Sequence, residues 1–265
     1  MPIILLTNLK PIKMKRLLLF SMALLLSASI YAQRNDNAEY WNSWEYTAKE
    51  GKAKDFEAAA AKKTAMFNAS DNNAIITYRI ITGPNSGTYV RVQSRKSPAD
   101  YDLDRSAEGN YWSENVAKFV AKTSGQVRWQ LLNNGSLNYT PGAAPNKYVV
   151  RTIFSVKADK VNHFRRFMSR IAQVIEKRGG TNTRLLFRLE SGGNRNQFIV
   201  ATGFDTFKRD PMPEQENTWR EDYNEMFGWG SMEEDSQNFD ASLEYWGEQI
   251  ETLQLVPEMS TGMMN

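Results

Sequence analysis

The apolar and polar positions of this chain spell one strand–turn–strand pattern twice. Tyr78-Arg79-Ile80 leads through a turn bearing Gly83 and Gly87 to Tyr89-Val90, and Phe187-Arg188-Leu189 leads through Gly192-Gly193 to Phe198-Ile199. Ten positions separate Arg79 from Tyr89, and ten separate Arg188 from Phe198. Period-two alternation around glycine turns predicts a hairpin in each case, and its recurrence predicts an internal duplication.

The flanking patterns repeat as well. Residues 44–47 alternate as a strand, and 52–67, rich in alanine and free of Gly and Pro, predict a helix. The hairpin strands are expected at 74–82 and 88–95, a second helix at 112–122 and a fourth strand at 127–132. Residues 140–147, with Pro141, Gly142 and Pro145, then read as a linker. Beyond it, 148–156 is rich in β-branched and aromatic residues, as a strand would be. Val161, Phe164, Met168, Ile171 and Ile175 form a helical stripe closed by Gly179-Gly180. The second hairpin follows, then helical sequence to residue 250 and a last strand at 253–256. Phe56 and Phe164 align at an offset of 108, one residue from the hairpin offset of 109. The order β-α-β-β-α-β, written twice, predicts an α+β chain of two tandem ferredoxin-like repeats, at 33–139 and 148–257.

Each such sheet carries helices on one face, and the other face must find cover. The two bare faces are therefore expected to pack against each other. This arrangement resembles the dimeric α+β barrel superfamily in its fused, tandem form, over residues 40–257, through element order and repetition. That superfamily includes antibiotic-biosynthesis-type monooxygenases, EthD-like proteins and haem-binding chlorite-dismutase relatives. The resemblance implies a barrel; for activity it implies at most cofactor-free oxygenase or isomerase chemistry.

Strand parity sorts the hairpin residues by face. Ile76, Tyr78 and Ile80, with Leu185, Phe187 and Leu189, are uniformly apolar and are expected beneath the helices. The opposite parity then turns Arg79, Tyr89, Arg91 and Arg188 into the barrel, joined by Gln130 and Gln254 from the last strands. These six are the candidate ligand-binding residues, because an arginine fork among aromatic rings suits a carboxylate or another oxygen-rich group. The structural alternative is that arginines and glutamines satisfy one another or Glu190 across the interface. A large cavity lined by arginines would favour a ligand; a packed interior holding Arg–Glu pairs would favour an interaction module.

The second repeat is longer between its hairpin and its last strand. The extra segment, near 211–231, carries Trp219, Tyr223, Met226, Phe227 and Trp229. Two readings stand: a lid over the barrel mouth formed by Trp219, Tyr223 and Trp229, or an amphipathic helix covering the fold. Residues 258–265 are expected to be a flexible tail.

Composition then sets the compartment. Lys13, Lys15 and Arg16 precede an apolar run at 17–26 and a small-residue zone ending Tyr31-Ala32-Gln33, the layout of a signal peptide over 1–32. Met14 could serve as the start, since 14–32 already make a whole signal. The run is too short to span ~30 Å of hydrocarbon, so cleavage after Ala32, a periplasmic or secreted product and no membrane anchor in the mature chain are expected. Removal of Lys10, Lys13, Lys15 and Arg16 lowers 33 basic side chains to 29, against 30 acidic ones. A near-neutral chain with no basic tract argues against nucleic acid as a partner. The chain has no cysteine, so disulfides, thiolate metal sites and thiol nucleophiles are excluded.

His163 is the sole histidine. It rules out multi-histidine metal sites, and it lies off the apolar stripe of its helix, where exposure is expected over an axial haem role. Glu233-Glu234-Asp235 with Asp240 lacks calcium-loop spacing and reads as an acidic helix start. No metal and no cofactor are expected. The leading functional reading is an exported protein that holds a small organic ligand, anionic or otherwise oxygen-rich, in the barrel. An oxygenase or isomerase and a non-catalytic interaction module stand beside it, and oligomeric state is left open.

Overall fold

Alternating strands in the computed structural model, which describes residues 38–208 and 213–262, close into an eight-stranded antiparallel barrel. The expected leader over 1–32 and its cleavage point lie outside the described residues, as do 209–212 of the extra segment and 263–265 of the expected tail. The strands are β1 (Tyr40–Ala48), β2 (Ile76–Ile80), β3 (Tyr89–Lys96), β4 (Val120–Leu131), β5 (Tyr148–Val156), β6 (Arg184–Ser191), β7 (Gln197–Phe204) and β8 (Leu243–Leu255). Around the barrel they run β1-β3-β2-β8-β5-β7-β6-β4, with β4 returning to β1. The first four strands and the last four each occupy one contiguous arc. The arcs join where Arg79 faces Gln254 and where Gln130 faces Arg188.

Five helices lie outside the barrel among the described residues: α1 (Ala53–Phe67), α2 (Ser106–Asn115), α3 (Val161–Lys177), α4 (Trp219–Phe227) and α5 (Ser231–Ser242). The apolar stripe of α3 buries Phe164 and Met168, and Gly179, at φ +69°, ends the helix in the left-handed region. Matching aromatic trios fix the two helix layers. Phe56 of α1 lies 6.0 Å from Tyr46 and 5.0 Å from Tyr89, ring to ring; Phe164 lies 5.2 Å from Phe154 and 4.6 Å from Phe198.

Two helix boundaries differ from the sequence pattern. The helix expected at 112–122 is α2, which ends at Asn115; Val116 caps a 3-10 turn at Ala117–Phe119 that leads directly into β4. The helical reading to residue 250 also fails, because α5 ends at Ser242 and β8 begins at once. The first half of β8 is mostly exposed on both faces, so no buried side imposes period-two alternation there.

The facing of the hairpins is reversed relative to expectation. Ile76, Tyr78, Val90, Val92, Leu185, Phe187, Ile199 and Ala201 line the barrel interior. Tyr89, Leu186 and Phe198 lie under α1 and α3. A closed barrel has no edge through which water can enter its lumen from the side, so the lumen takes the uniformly apolar parity. The helix layer covers the outer face only in part, and there polar side chains find partners. The expected tail is also corrected over its described part. Met259 is wholly buried beside Phe56, and the Thr77 hydroxyl donates to its carbonyl at 2.9 Å. The Thr77 amide donates to Ser260 Oγ, and the Thr261 amide to the Ile75 carbonyl. The second half of the chain thus closes the helix layer of the first.

Candidate functional site

The reversed facing moves the candidate residues out of the barrel and divides them. Arg79 is exposed on the outer face of β2, and Gln254 is its cross-strand neighbour. Arg188 is half-buried, donates through Nε to the Arg195 carbonyl at 3.3 Å and faces Gln130. These four residues sit at the two joins between the arcs. Tyr89 is buried under α1, where its hydroxyl donates to Glu57 at 2.6 Å; burial first, then that carboxylate, pushes its ionisation up to about 12. None of the six lines the barrel lumen.

Arg91 alone reaches a cavity. It projects from β3 into a space of about 460 Å³ between the outer face of β1 and β3, the loop before α2, and α2 itself. The residue is 2% exposed. Thr77 Oγ1 accepts from Nε at 3.3 Å and Thr64 Oγ1 accepts from Nη2, which leaves Nη1 uncommitted. The Arg91 Cζ lies 5.4 Å from the centroid of the Trp112 ring. Burial with no hydrogen-bonded carboxylate draws its ionisation down to about 10.

The rest of the wall is cationic and aromatic. Lys63, Lys96 and Arg105 join Arg91, against the carboxylates of Asp100 and Glu108. Lys63 of α1 pairs with Glu108 of α2 and donates to Asn68 Oδ1 at 2.8 Å. Burial, reinforced by the charge of Arg91, lowers the Lys63 ammonium to about 8 in spite of Glu108. Burial would raise Glu108, but Lys63, Asn68 and Arg105 together hold it below the usual carboxylate range. Trp44, Trp112 and Tyr101 supply flat surfaces, with the Tyr101 hydroxyl donating to Asn42 Oδ1 at 2.8 Å and the Arg128 guanidinium 3.2 Å above its ring. Sequence reasoning missed Lys63, Lys96, Arg105 and Glu108. The one available signal was a lysine recurring within the otherwise alanine-rich α1.

The barrel lumen holds a different constellation. Arg151 of β5, also missed, bonds Glu251 through Nε at 3.1 Å and through Nη2, and Glu45 through Nη1 at 2.7 Å. Glu251 is wholly buried and accepts from Asn85 at 2.8 Å and Gln249 at 2.7 Å as well. Above this trio lies a cavity of about 210 Å³ with apolar walls, roofed by residues of the 140–147 linker.

The extra segment is not placed as a lid. α4 and α5 pack on α3, with Asp235 buried against Arg166 at 2.6 Å, Arg170 at 2.5 Å and the Tyr223 hydroxyl at 2.7 Å. Tyr223 is thus core, Trp219 lies 5.6 Å from the Arg178 guanidinium, and Trp229 is 97% exposed. None of the three lines either cavity. Phe154, Phe164, Leu186, Phe198 and Phe239 pack between the second-half sheet and α3, and His163 lines none of the cavities, including one of about 220 Å³ between α3 and Leu132 and Leu186.

Architecture and comparison agree on the class of fold. Similar solved structures include a protein of Lactobacillus acidophilus NCFM provisionally described as a monooxygenase, with TM-score 0.53 and 12% identity over 86% of this chain and 98% of that one. A second protein so described, from Fusobacterium nucleatum subsp. nucleatum ATCC 25586, aligns with TM-score 0.54 and 10% identity over 82% and 92%. An anthrone oxidase-like protein aligns with TM-score 0.51 and 14% identity over 87% and 96%. These neighbours are dimeric α+β barrel proteins, and at such identities the likeness is one of fold. No protein-family model matches the sequence, and no curated protein matches it.

Proposed function

We propose that the protein binds a small anionic organic molecule with a flat, aromatic body in the cavity beneath α2. The observation that carries this reading is Arg91, a nearly buried guanidinium with a free Nη1 and no bonded carboxylate, facing a cavity of about 460 Å³. A desolvated cation costs several kcal/mol unless it is paired, and a ligand carboxylate would supply the pair. Four cations against two carboxylates give the walls a net positive charge, and Trp44, Trp112 and Tyr101 offer stacking faces. The ligand chemistry is the one expected from the sequence; its place is the opposite side of the sheet.

The test is calorimetric titration of the mature chain with benzoate, salicylate, indole-3-acetate and 2-naphthoate, beside native mass spectrometry of protein from its own source. At least one of these carboxylates is expected to bind, and Arg91→Met to weaken it ten- to a hundredfold. Absence of binding by the whole panel, or binding within twofold in the variant, overturns the reading.

A second reading rests on Lys63. An ammonium lowered to about 8 provides some neutral amine near neutral pH. That amine could take a proton from an acidic C–H of the bound molecule and return it at another carbon, while Arg91 holds the enolate oxygen in between. This is isomerase chemistry; the monooxygenase descriptions of the fold neighbours suggest molecular oxygen as the co-reactant for the same anion. Oxygen uptake that depends on substrate and is lost in Lys63→Met would favour it over binding alone.

The tandem ferredoxin-like origin belongs to the same proposal, supported by the two four-strand arcs and the matching aromatic trios. So does export, supported by the leader-like sequence at 1–32; mass analysis of the native N-terminus checks it.

A further inference from the structure

We propose that the barrel lumen is a second ligand site, separate from the cavity beneath α2, which takes an uncharged molecule of about two fused aromatic rings. Its walls come from Trp41, Trp129, Tyr78, Phe187, Leu185 and Ala201, all on the inward parity of their strands. The polar handle of each aromatic wall is already spent. Trp41 Nε1 donates to Glu39 at 2.6 Å, Trp129 Nε1 to Ser43 Oγ at 3.0 Å, and the Tyr78 hydroxyl to the Asn146 carbonyl at 3.2 Å. At the rim the Tyr139 hydroxyl donates to Glu39 at 2.7 Å. A ligand in the lumen thus meets mostly carbon, and apart from Ser43 the uncharged polar side chains of the wall belong to the linker and its neighbours, Asn138, Thr140, Asn146 and Thr183.

Charge selects in the same direction. Arg151 is the one charged side chain that lines the cavity, and each of its three nitrogens donates to Glu45 or Glu251. The trio carries one net negative charge, so an anion entering the lumen would be both desolvated and repelled. The two cavities therefore sort ligands by charge, the outer one for anions and the inner one for neutral molecules.

Volume sets the size. An apolar cavity of roughly 150 Å³ stays dry and holds benzene; about 210 Å³ leaves room for a second ring. The way in is the roof. Ala143, Ala144 and Pro145 of the linker lie over the cavity, and the linker is pinned at its ends. Asn138 donates to the Gly180 and Asn182 carbonyls on one side, and the Lys147 amide donates to Asp205 at 2.9 Å on the other. Between these pins the backbone bond from Ala143 to the Thr140 carbonyl is internal to the turn, so the roof can lift without breaking the barrel ladder.

The experiment titrates the mature chain with a matched pair at pH 7, 2-naphthol as the neutral probe and 2-naphthoate as the anion, by calorimetry. Wild type is expected to bind 2-naphthol. Ala201→Leu, which projects three carbons into the lumen, should weaken 2-naphthol at least tenfold, and Arg91→Met should leave it within twofold. Ile76→Phe fills the same space from β2 and serves should Ala201→Leu fail to fold; circular dichroism and thermal unfolding establish which variants are folded. No 2-naphthol binding by wild type, equal binding by a folded filled variant, or displacement of 2-naphthol by equimolar 2-naphthoate overturns the proposal. Loss of 2-naphthoate binding in Arg91→Met bears on the outer cavity alone, so the two readings fail separately.

Discussion

Replacing Arg151 by methionine is expected to unfold the barrel from within, by an amount that depends on pH. The substitution keeps the aliphatic stem and removes the guanidinium that binds both Glu251 and Glu45, leaving Glu251 only the neutral donors Asn85 and Gln249. Glu251 is wholly buried, so the change strands a carboxylate, and breaking a buried pair in this way costs about 3–5 kcal/mol. Protonation limits that cost. A carboxylate with an ordinary value near 4.3 takes up a proton at pH 7 for about 3.7 kcal/mol, at about 1.36 kcal/mol per pH unit. At pH 5 the same uptake costs about 1 kcal/mol.

In wild type, burial alone would raise Glu251, but Arg151 keeps it below its usual value. The pair's contribution is therefore present above the ordinary carboxylate value and lost as pH falls through the lower, folded one. Urea unfolding at pH 7 and pH 5 should show the variant's deficit shrinking from about 4 kcal/mol to about 1–2 kcal/mol on acidification. Adding Glu251→Gln should recover most of the loss at pH 7, because Asn85 and Gln249 still bond the amide oxygen. A deficit below about 1 kcal/mol at pH 7, or one that grows at pH 5, would refute the account of the trio as a buried, mutually dependent unit.

Three other expectations follow from the cavities and their supports. Carboxylate binding beneath α2 should weaken three- to tenfold, as an order of magnitude, between pH 7 and 9.5, because Lys63 loses its proton near 8 and takes a positive charge from the wall; Lys63→Met should flatten that profile in calorimetry. Met259→Ala should destabilise by about 2–5 kcal/mol in urea unfolding, since the side chain is wholly buried beside Phe56; a loss under 1 kcal/mol, as an order of magnitude, would mean that the C-terminal segment is loosely held. Gly203→Ala would set a Cβ 2.0 Å from Asn146 Oδ1, forcing the linker outward. It should cost about 1–3 kcal/mol and hasten proteolysis at 140–147, read by mass spectrometry of the fragments.

The local elements were largely legible. Strand β5 and helix α3 lie where the β-branched run and the apolar stripe put them, because each buries one continuous face. The positions paired by the repeat, Phe56 with Phe164 and Arg79 with Arg188, occupy equivalent places in the two halves. What failed was local too, but for want of a buried face: residues 243–250 form half of a strand exposed on both sides, and their pattern carries no period.

For the candidate residues, the sequence pattern grouped arginine with aromatic rings but set them on the wrong face of the sheet. Arginine with tryptophan and tyrosine does line a cavity, but Arg91 does so from the outer face, with Lys63 and Glu108 brought from two helices that the spacing could not relate to it. Strand parity separates two faces and is silent on which of them is the lumen. Chain closure decides that. Once β2 meets β8 and β4 meets β6, water can reach the inside only through the ends of the barrel, while the helices shield the outside only in part. The apolar parity then has the stronger claim on the lumen, and the charged parity is left beneath the helices, where α2 encloses it in a cavity.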